Sequence, residues 1–393
     1  MFLDRLNRKN IGARSTGKAL YQMCHEIGIN VIHTFDIEIF SSLDLTMNID
    51  SLEELFMKSA ENDEKLSKLL RQLQNADMLI INGEGSYIFS ANFGAIIRGF
   101  AVLMKIAKEA GVRTYLLNTE AAPASDGTYD VRLVEDFKRT MKYVDLFTVR
   151  SKRSLEFAQR YLSTKAIYVP DALFSWIKYF EQGLEKPLIG DSIIPFPDSN
   201  FSFGTFDFSK PYICISDSSA LDTTSWVQFV PSYVELINRL KESKPEYRIY
   251  LVETGAPGKP FLDEISKQTN TTVIPVTINL LTMQAILGNA ELFISGRWHP
   301  SIMAVLNGTP CILTDANCHK MDAFEEMMEL SLQARTYSAK LDNPKDIDAI
   351  VENCIAVFEK KGLRQAIRAK AMELSLKSLD IKKLIKEDIE KNA

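Results

Sequence analysis

Short apolar runs alternate along most of the chain with longer segments whose apolar residues recur every three or four positions. The short runs predict buried strands, and the longer segments predict amphipathic helices such as Ile96–Glu109, Lys152–Tyr161 and Trp226–Glu242. Regular alternation of strands with helices is typical of parallel sheets covered by helices on both faces, so the predicted fold class is α/β. The predicted strands are Asp77–Ile81, Arg113–Leu117, Leu146–Val149, Ala166–Val169, Tyr212–Ile215, Tyr247–Val252, Thr272–Ile274, Leu292–Ile294 and Cys311–Leu313.

A stretch without helical periodicity separates the two halves of this pattern. Residues from about 181 to 210 are rich in Pro, Gly, Ser, Asp and Phe, as expected of a connection between domains. The sequence therefore predicts a Rossmann-like domain at 1–185, a linker at 186–210, a second Rossmann-like domain at 211–345 and helices at 346–393. Two such domains face a cleft, and ligands bind there at the strand ends. Apolar positions in the tail predict packing across both domains, and a basic amphipathic membrane helix is the second interpretation.

Composition narrows the function classes further. The chain has 393 residues, of which 46% are hydrophobic and 25% charged, as in globular proteins that fold in water. A net charge of −5 gives no sign of a nucleic-acid-binding face. The five scattered cysteines predict reduced thiols rather than a disulfide framework. Neither a signal peptide nor a membrane-spanning run is visible, so we expect a cytoplasmic protein, with contact to a membrane surface left open.

The loop after the predicted strand Leu292–Ile294 carries the most informative side chains. It contains Arg297 and His299, and His299 is one of only four histidines in the chain. A histidine in a strand-end loop is a candidate catalytic group, and the alternative is a histidine that only completes the core. His319 and Lys320 follow the next predicted strand and are expected to point into the same cleft.

Candidate residues from the first domain also follow predicted strands. Arg150 and Glu120 lie at two strand ends, and the loop Asn82–Ser86 follows a third. Glycines in that loop allow close backbone approach, and free N–H groups there can bind an oxyanion. A nicotinamide fingerprint would need a small residue at Ile88, which disfavours a dinucleotide site. The loop Asn10–Gly17 before the first predicted helix is a candidate anion or sugar site, with an ordinary turn as the alternative.

The charges in these loops suit one kind of ligand. Arg150, Arg297 and Lys320 around the imidazole of His299 would hold a small anion that bears both phosphate and carboxylate. Asp315, His319 and Asp322 are close in sequence, but their spacing matches no metal site. We therefore predict no metal and no cofactor.

The chain resembles the polysaccharide pyruvyl transferases, bacterial and fungal enzymes that move pyruvate from phosphoenolpyruvate onto a sugar as a ketal. The resemblance extends over nearly the whole chain, and the order and spacing of its motifs make it specific. The matching motifs are Asn10-Ile11-Gly12, the loop Asn82–Ser86, Val149-Arg150-Ser151 with Ser154, Pro170-Asp171-Ala172-Leu173-Phe174, Arg297-x-His299, Gly308-x-Pro310 and Lys320. Departures from the family pattern are Gly83-Glu84-Gly85 in place of three glycines, Trp298 after the motif arginine, and Pro300 after the histidine.

The resemblance implies a fold like that of GT-B glycosyltransferases, with the acceptor on the first domain and the donor on the second. It implies phosphoenolpyruvate as co-substrate and a saccharide acceptor, which is either free or lipid-linked at the inner face of a membrane. Arg150, Arg297, His299 and Lys320 are implied to bind the donor and catalyse the transfer. The expected donor- or acceptor-binding residues are Asn10, Gly12, Gly83, Glu84, Gly85, Ser86, Glu120, Trp298 and His319.

A mechanism follows as a hypothesis. The cations hold the donor, and His299 protonates its methylene carbon so that a sugar hydroxyl can add to the neighbouring carbon. Glu120 is a candidate base for that hydroxyl, and a solvent-exposed loop acid is the alternative for this residue.

Two other functions fit the same fold. A glycosyltransferase would use a nucleotide-activated sugar in the same cleft, and Glu325 and Glu326 are its candidate contacts to the nucleotide. The second alternative is a non-catalytic protein of a polysaccharide assembly complex. The presence of Arg297, His299 and Lys320 together argues instead for an active site. The sequence predicts neither the acceptor sugar nor the oligomeric state.

Overall fold

The computed structural model describes residues 2–4, 10–31, 33–36, 47–90, 94–179, 209–222, 225–329 and 336–391. The strands of the first sheet are β1 (Phe2–Asp4), β2 (Thr34–Asp36), β3 (Met78–Ile88), β4 (Arg113–Ala122), β5 (Leu146–Val149) and β6 (Ile167–Tyr168). They are parallel and lie in the order β2-β1-β3-β4-β5-β6. The direction in which the chain adds strands therefore changes between β1 and β3.

A second parallel sheet follows in the chain. Its strands are β7 (Tyr212–Ser218), β8 (Arg248–Val252), β9 (Thr272–Ile274), β10 (Leu292–Gly296) and β11 (Cys311–Leu313). They lie in the order β11-β10-β7-β8-β9, which is that of a Rossmann sheet. Here the direction changes between β7 and β10.

Helices connect the strands of both sheets and form the tail of the chain. In the first sheet's half they are α1 (Ile11–Glu26), α2 (Ile49–Ala60), α3 (Glu64–Gln74), α4 (Gly94–Glu109), α5 (Val131–Thr140) and α6 (Lys152–Tyr161). The second half contributes α7 (Val230–Ser243), α8 (Lys259–Thr269), α9 (Leu280–Asn289), α10 (Trp298–Val305) and α11 (Lys320–Met328). The tail forms α12 (Pro344–Glu359), α13 (Leu363–Ser378) and α14 (Asp380–Lys391). Two short 3-10 turns, Ala172–Ile177 and Ser219–Leu221, border the site described below.

Helix ends follow the local sequence closely. Ser151 accepts a hydrogen bond from the Ser154 N–H and caps α6, as predicted. Gly28 has a φ of +84°, and the next N–H, of Ile29, bonds back to the Cys24 carbonyl to close α1. None of the described helices is long and apolar enough to cross a bilayer.

Several predicted strands end too early, and the largest errors fall at the candidate site. β7, which was predicted to end at Ile215, continues to Ser218. The segment Asn82–Ser86 is part of β3 rather than a loop, and Glu120 lies within β4. Glu84 (φ +42°) and Asn118 (φ +56°) adopt left-handed conformations beside shifts in the strand register. Such irregularities redirect side chains out of the regular alternation of a strand.

Two predicted loops are largely helix. Asn10 caps α1, so the segment predicted as the loop Asn10–Gly17 is the first turns of that helix. Only Arg297 remains between β10 and α10, because Trp298 and His299 belong to the first turn of α10. Lys320 likewise begins α11 instead of lying in a loop.

The hydrophobic core is continuous across the two sheets. Apolar residues of α1 and of the 3-10 turn Ala172–Ile177 pack with the second sheet and the tail helices, and α2 to α6 enclose a separate cluster. In the tail, α12 packs on α7 while Asp388 of α14 accepts a hydrogen bond from Tyr115 of β4 at 2.6 Å. The domain limits at 185 and 211 stay a prediction, because nearly all of the predicted linker lies within 180–208, outside the described residues.

Candidate active site

The candidate residues lie where the two sheets meet. Asp217 at the end of β7 bonds to Arg297 just beyond β10, which places this pair at the second sheet's change of direction. In open α/β sheets, ligands bind in the crevice at such a point. Ile11, the first residue of α1, donates its backbone N–H to the Thr254 carbonyl at 2.9 Å. The N-terminus of α1 therefore joins the two halves of the molecule beside the crevice.

Arg150, immediately after β5, is the centre of a buried network between the halves. Its Nε donates to Glu120 at 2.9 Å and its Nη1 to Asp171 at 3.1 Å. The same Nη1 lies 2.8 Å from Nε2 of His299, and the guanidinium packs on the indole of Trp298. Burial lowers the pKa of Arg150, but the two carboxylates more than offset this and raise it. The guanidinium therefore stays charged although it is only 1% exposed.

Glu120 is fully buried, so its interpretation as a solvent-exposed loop acid is wrong. Its carboxylate accepts hydrogen bonds from Ser154 at 2.8 Å and Ser151 at 3.3 Å, and it lies 3.1 Å from Nε2 of His319. Burial raises its pKa, yet His319 and Arg150 outweigh burial and bring the pKa well below its usual range. A carboxylate that is ionised and fully engaged orients its partners and is a poor base.

His299 is held on both ring nitrogens. Its Nε2 faces Arg150 and lies 3.3 Å from Asp171, while its Nδ1 lies 3.7 Å from the Glu84 carboxylate. Because a guanidinium can only donate, Nε2 accepts from Arg150 when the ring is neutral, and the single ring proton then lies on Nδ1. A Cβ atom at Gly12 would lie 2.1 Å from Nδ1, so only glycine leaves room for this ring.

Asp171 completes the network, although it was not among the site residues predicted from the sequence. One oxygen faces Arg150 and His299 and accepts a hydrogen bond from the Trp298 indole at 3.0 Å. The other accepts the Leu173 N–H at 2.9 Å. Burial raises the pKa of Asp171, but His299 and Arg150 lower it to about 2. Its place directly after β6, within the motif Pro170–Phe174, is the signal that could have identified it.

Arg297 is already occupied by two carboxylates. Its Nε and Nη2 donate to Asp217 at 3.1 and 2.5 Å, and its Nη1 and Nη2 donate to Asp222 at 2.9 and 2.6 Å. Burial lowers the pKa of Arg297, and the two acids outweigh it and raise the pKa above its usual range. Arg297 is therefore not an unpaired cation in the empty protein, and its predicted role in binding an anion stays a prediction. Sequence reasoning missed both acids because the predicted strand stopped at Ile215.

Lys320 has a different environment. Its ammonium group donates to the Asn317 side chain at 2.8 Å, and no described carboxylate lies within 4 Å of it. Burial lowers the pKa of Lys320, and the nearby charges of Arg297 and Arg150 act in the same direction. A cation that is 9% exposed and lacks a described counter-ion would gain from binding an anion.

The remaining candidates have distinct positions. A Cβ atom at Gly83 would lie 2.2 Å from the Thr119 hydroxyl, so this glycine allows close packing of β3 on β4. Gly85 faces Arg150, since a Cβ atom there would lie 3.9 Å from Nη2, and Ser86 is buried in β3. Within the described ranges, no group of three or more His, Cys, Asp or Glu side chains is arranged to hold a metal ion.

Solved structures with the same fold are sugar-nucleotide enzymes. UDP-GlcNAc 2-epimerase from Methanocaldococcus jannaschii, in complex with UDP-GlcNAc and UDP, is 12% identical with a TM-score of 0.55, over 95% of this chain and 98% of that one. The epimerase from Neisseria meningitidis bound to UDP-GlcNAc is 12% identical with a TM-score of 0.54, over 97% and 90%. At such identities the likeness concerns the fold alone, and it confirms the predicted GT-B-like arrangement.

Sequence comparison identifies the family. No curated protein sequence matches this chain. The family model described as polysaccharide pyruvyl transferase matches residues 10–316, which include Arg150, Arg297 and His299 and end shortly before Lys320. The chain therefore belongs to the polysaccharide pyruvyl transferase family.

Proposed function

We propose that this protein transfers pyruvate from phosphoenolpyruvate to two hydroxyls of a saccharide as a cyclic ketal. The observation that carries the proposal is the ammonium of Lys320, which lacks a described counter-ion and lies close enough to Arg150 and Arg297 for their charges to lower its pKa. His299 contacts Arg150 in the same crevice. Family membership supports a transferase that acts on polysaccharide precursors.

The proposed reaction needs one proton donor and fixed positive charge. His299, as imidazolium, gives a proton to the methylene carbon of the donor, and positive charge develops at the adjacent carbon, which one sugar hydroxyl attacks. That hydroxyl returns its proton to the imidazole. A second hydroxyl then displaces phosphate from the same carbon, and its proton passes through a base to the departing phosphate. General acid catalysis of this kind contributes roughly 10²–10⁴-fold.

His319 is a better candidate than Glu120 for accepting a hydroxyl proton. Glu120 lies 3.1 Å from one ring nitrogen of His319, which is the arrangement by which a carboxylate orients a catalytic imidazole. We therefore assign Glu120 the role of positioning Arg150 and His319.

The test is phosphate release from phosphoenolpyruvate with a panel of free and lipid-linked saccharides. We expect release that depends on the acceptor, and a loss of at least 100-fold in His299→Ala. His25→Ala is the matched control, because His25 is an exposed histidine in α1. Full activity of His299→Ala would disprove the proton-donor role. Calorimetric binding of a nucleotide-sugar, without any response to phosphoenolpyruvate, would indicate a glycosyltransferase instead.

We further propose a lipid-linked acceptor that is reached at the cytoplasmic face of an anionic membrane. The supporting feature is the charge of the tail: residues 360–386 contain nine lysines and arginines and two acidic residues, in a chain of net charge −5. Lys361, Arg368 and Lys386 are exposed, and they make no ion pair within the described part of the chain. Exposed cations next to a membrane contribute about 1 kcal/mol each to binding of anionic lipids.

A further inference from the structure

Arg297 has one more carboxylate than its charge requires. Asp217 and Asp222 each bind the guanidinium with two hydrogen bonds, so four of its five N–H donors are used within the protein. The three side chains together carry a net negative charge in the place where the proposed function requires an anion to bind. One N–H of Nη1 remains, so Arg297 can bind a donor with two hydrogen bonds only after one of the two acids has moved.

Asp217 is fixed in place. It belongs to β7, its side chain is 2% exposed, and Thr254 donates a hydrogen bond to it at 3.2 Å. A Cβ atom at Gly258 would lie 1.8 Å from its carboxylate, which shows how closely the backbone of the next loop surrounds it. Arg297, Thr254 and the backbone at Gly258 therefore enclose the Asp217 carboxylate.

Asp222 is positioned so that its side chain can move away from Arg297. It follows the 3-10 turn Ser219–Leu221 instead of lying in a strand, and its side chain is 25% exposed. Every hydrogen bond that its carboxylate makes with the described residues goes to Arg297. Rotation of this side chain into solvent breaks no other described side-chain contact.

The position of Asp222 is that of an anionic ligand. Its carboxylate forms the bidentate pair with a guanidinium that also recognises substrate carboxylates and phosphates. Its charge also acts on the ammonium of Lys320, which lacks a counter-ion within the described ranges. Arg297 and Lys320 are the two cations that we assign to the donor, and the charge of Asp222 acts on both.

We propose that Asp222 occupies the donor's anion-binding position in the empty protein and that the donor binds by displacing it. This inference rests on the proposed function and adds a basis for donor selection. A phosphoryl group carries a charge of about −1.5 to −2 at neutral pH, whereas the Asp222 carboxylate carries −1. Displacing Asp222 costs every ligand the same free energy, and the larger charge of a phosphorylated donor offsets this cost better than that of a monoanion such as pyruvate.

Calorimetric titration of the full chain with phosphoenolpyruvate, inorganic phosphate and pyruvate tests the proposal. Asp222→Asn and Asp222→Ala should bind phosphoenolpyruvate about tenfold more tightly than the unsubstituted protein, because the competing state is removed. Their affinities for inorganic phosphate and pyruvate should rise by a similar factor, because displacing Asp222 costs the same free energy whichever ligand binds. Thermal melting confirms that both variants are folded.

Asp322→Asn is the matched control. It removes the same charge two residues from Lys320, but Asp322 pairs with Arg153 and not with Arg297. If Asp322→Asn raised the affinity for phosphoenolpyruvate as much as the Asp222 variants do, the effect would come from the change in overall charge. That result would overturn the proposal. Unchanged or weaker binding of phosphoenolpyruvate in both Asp222 variants would also overturn it.

The two proposals fail in different ways. If the protein turned over phosphoenolpyruvate but the Asp222 variants did not bind it more tightly, the proposed function would be supported and the role of Asp222 refuted. Conversely, all forms could ignore phosphoenolpyruvate while the Asp222 variants bind inorganic phosphate more tightly. That result would keep Asp222 in the anion-binding position and refute phosphoenolpyruvate as the donor.

Discussion

A single carboxylate, that of Asp171, faces three donors that come from both halves of the molecule. The folded state lowers its pKa from an ordinary 3.8 to about 2, because His299 and Arg150 outweigh its burial. A lowered carboxylate pKa stabilises the fold at every pH above the ordinary value, and the contribution is lost as the pH falls through the folded value. For this shift the contribution is on the order of 2 kcal/mol.

We expect Asp171→Asn to lower the free energy of unfolding at pH 7 by about 3 kcal/mol, because the buried guanidinium of Arg150 loses a counter-ion. Urea unfolding at several pH values measures this. The difference from the unsubstituted protein should narrow as the pH falls below about 4. Asp263→Asn removes an exposed carboxylate of α8 and serves as the control. A difference that is the same at pH 7 and pH 3 would contradict the assignment.

For individual residues, the predicted strand ends indicated which side chains could meet, but they did not indicate how the charged side chains pair. Arg150 follows β5, Glu120 lies near the carboxyl end of β4, and His299 lies in the first turn after β10; the structure brings the three together. The pairing of Arg297 with Asp217 joins residues 80 positions apart. No local pattern reports it, since Ser216 and Asp217 look like a polar loop until a buried partner is known.

Helix α1 shows how one element can serve both stability and the site. Asn10 caps it by accepting the Ala13 N–H at 3.1 Å, and two residues later Gly12 touches the ring of His299. A capping residue contributes about 1 kcal/mol to stability. Loss of this cap should also loosen the turn against which the imidazole rests.

Asn10→Ala should therefore lower both stability and activity, whereas Asn48→Ala should lower stability alone. Asn48 caps α2 in the same way, accepting the Ser51 N–H at 3.0 Å, and α2 packs on α3 and α4. We expect each variant to lose about 1 kcal/mol in chemical denaturation. Phosphate release should fall only in the Asn10 variant. Equal activity of the two variants would mean that the start of α1 does not position His299.

Elements with a regular apolar pattern, such as α6 and β9, were predicted to the residue. The pattern failed where polar residues are buried by partners that are distant in the sequence. β3 continues through Asn82 to Ile88 because Asn82 bonds with Thr16 of α1 and with Asn118 of β4. Sequence periodicity assigns such residues to solvent, since the partners that bury them are distant in the chain.

For the molecule as a whole, the alternation of strands and helices was enough to predict two parallel sheets. The order of strands within each sheet was not predicted, because neighbours such as β7 and β10 are separated by two other strands in the sequence. The chain gave no local sign that α1 would pack into a core shared with the second sheet. That shared core is what brings Gly12 and His299 into contact.

The charge of the tail gives the last prediction. If the cations of α13 and α14 contact lipid, vesicles that contain anionic lipid should sediment the protein and purely zwitterionic vesicles should not. Replacing Lys361, Arg368 and Lys386 by glutamate should weaken binding by well over 100-fold, at about 1 kcal/mol for each cation lost.

Replacing Lys65, Lys68 and Arg71 by glutamate makes the same charge change on exposed positions of α3 and is the control. Rising salt should weaken binding of the unsubstituted protein, because ions screen exposed charges. Equal losses in the two triple variants would show that overall charge governs binding, and the tail would then have no special role.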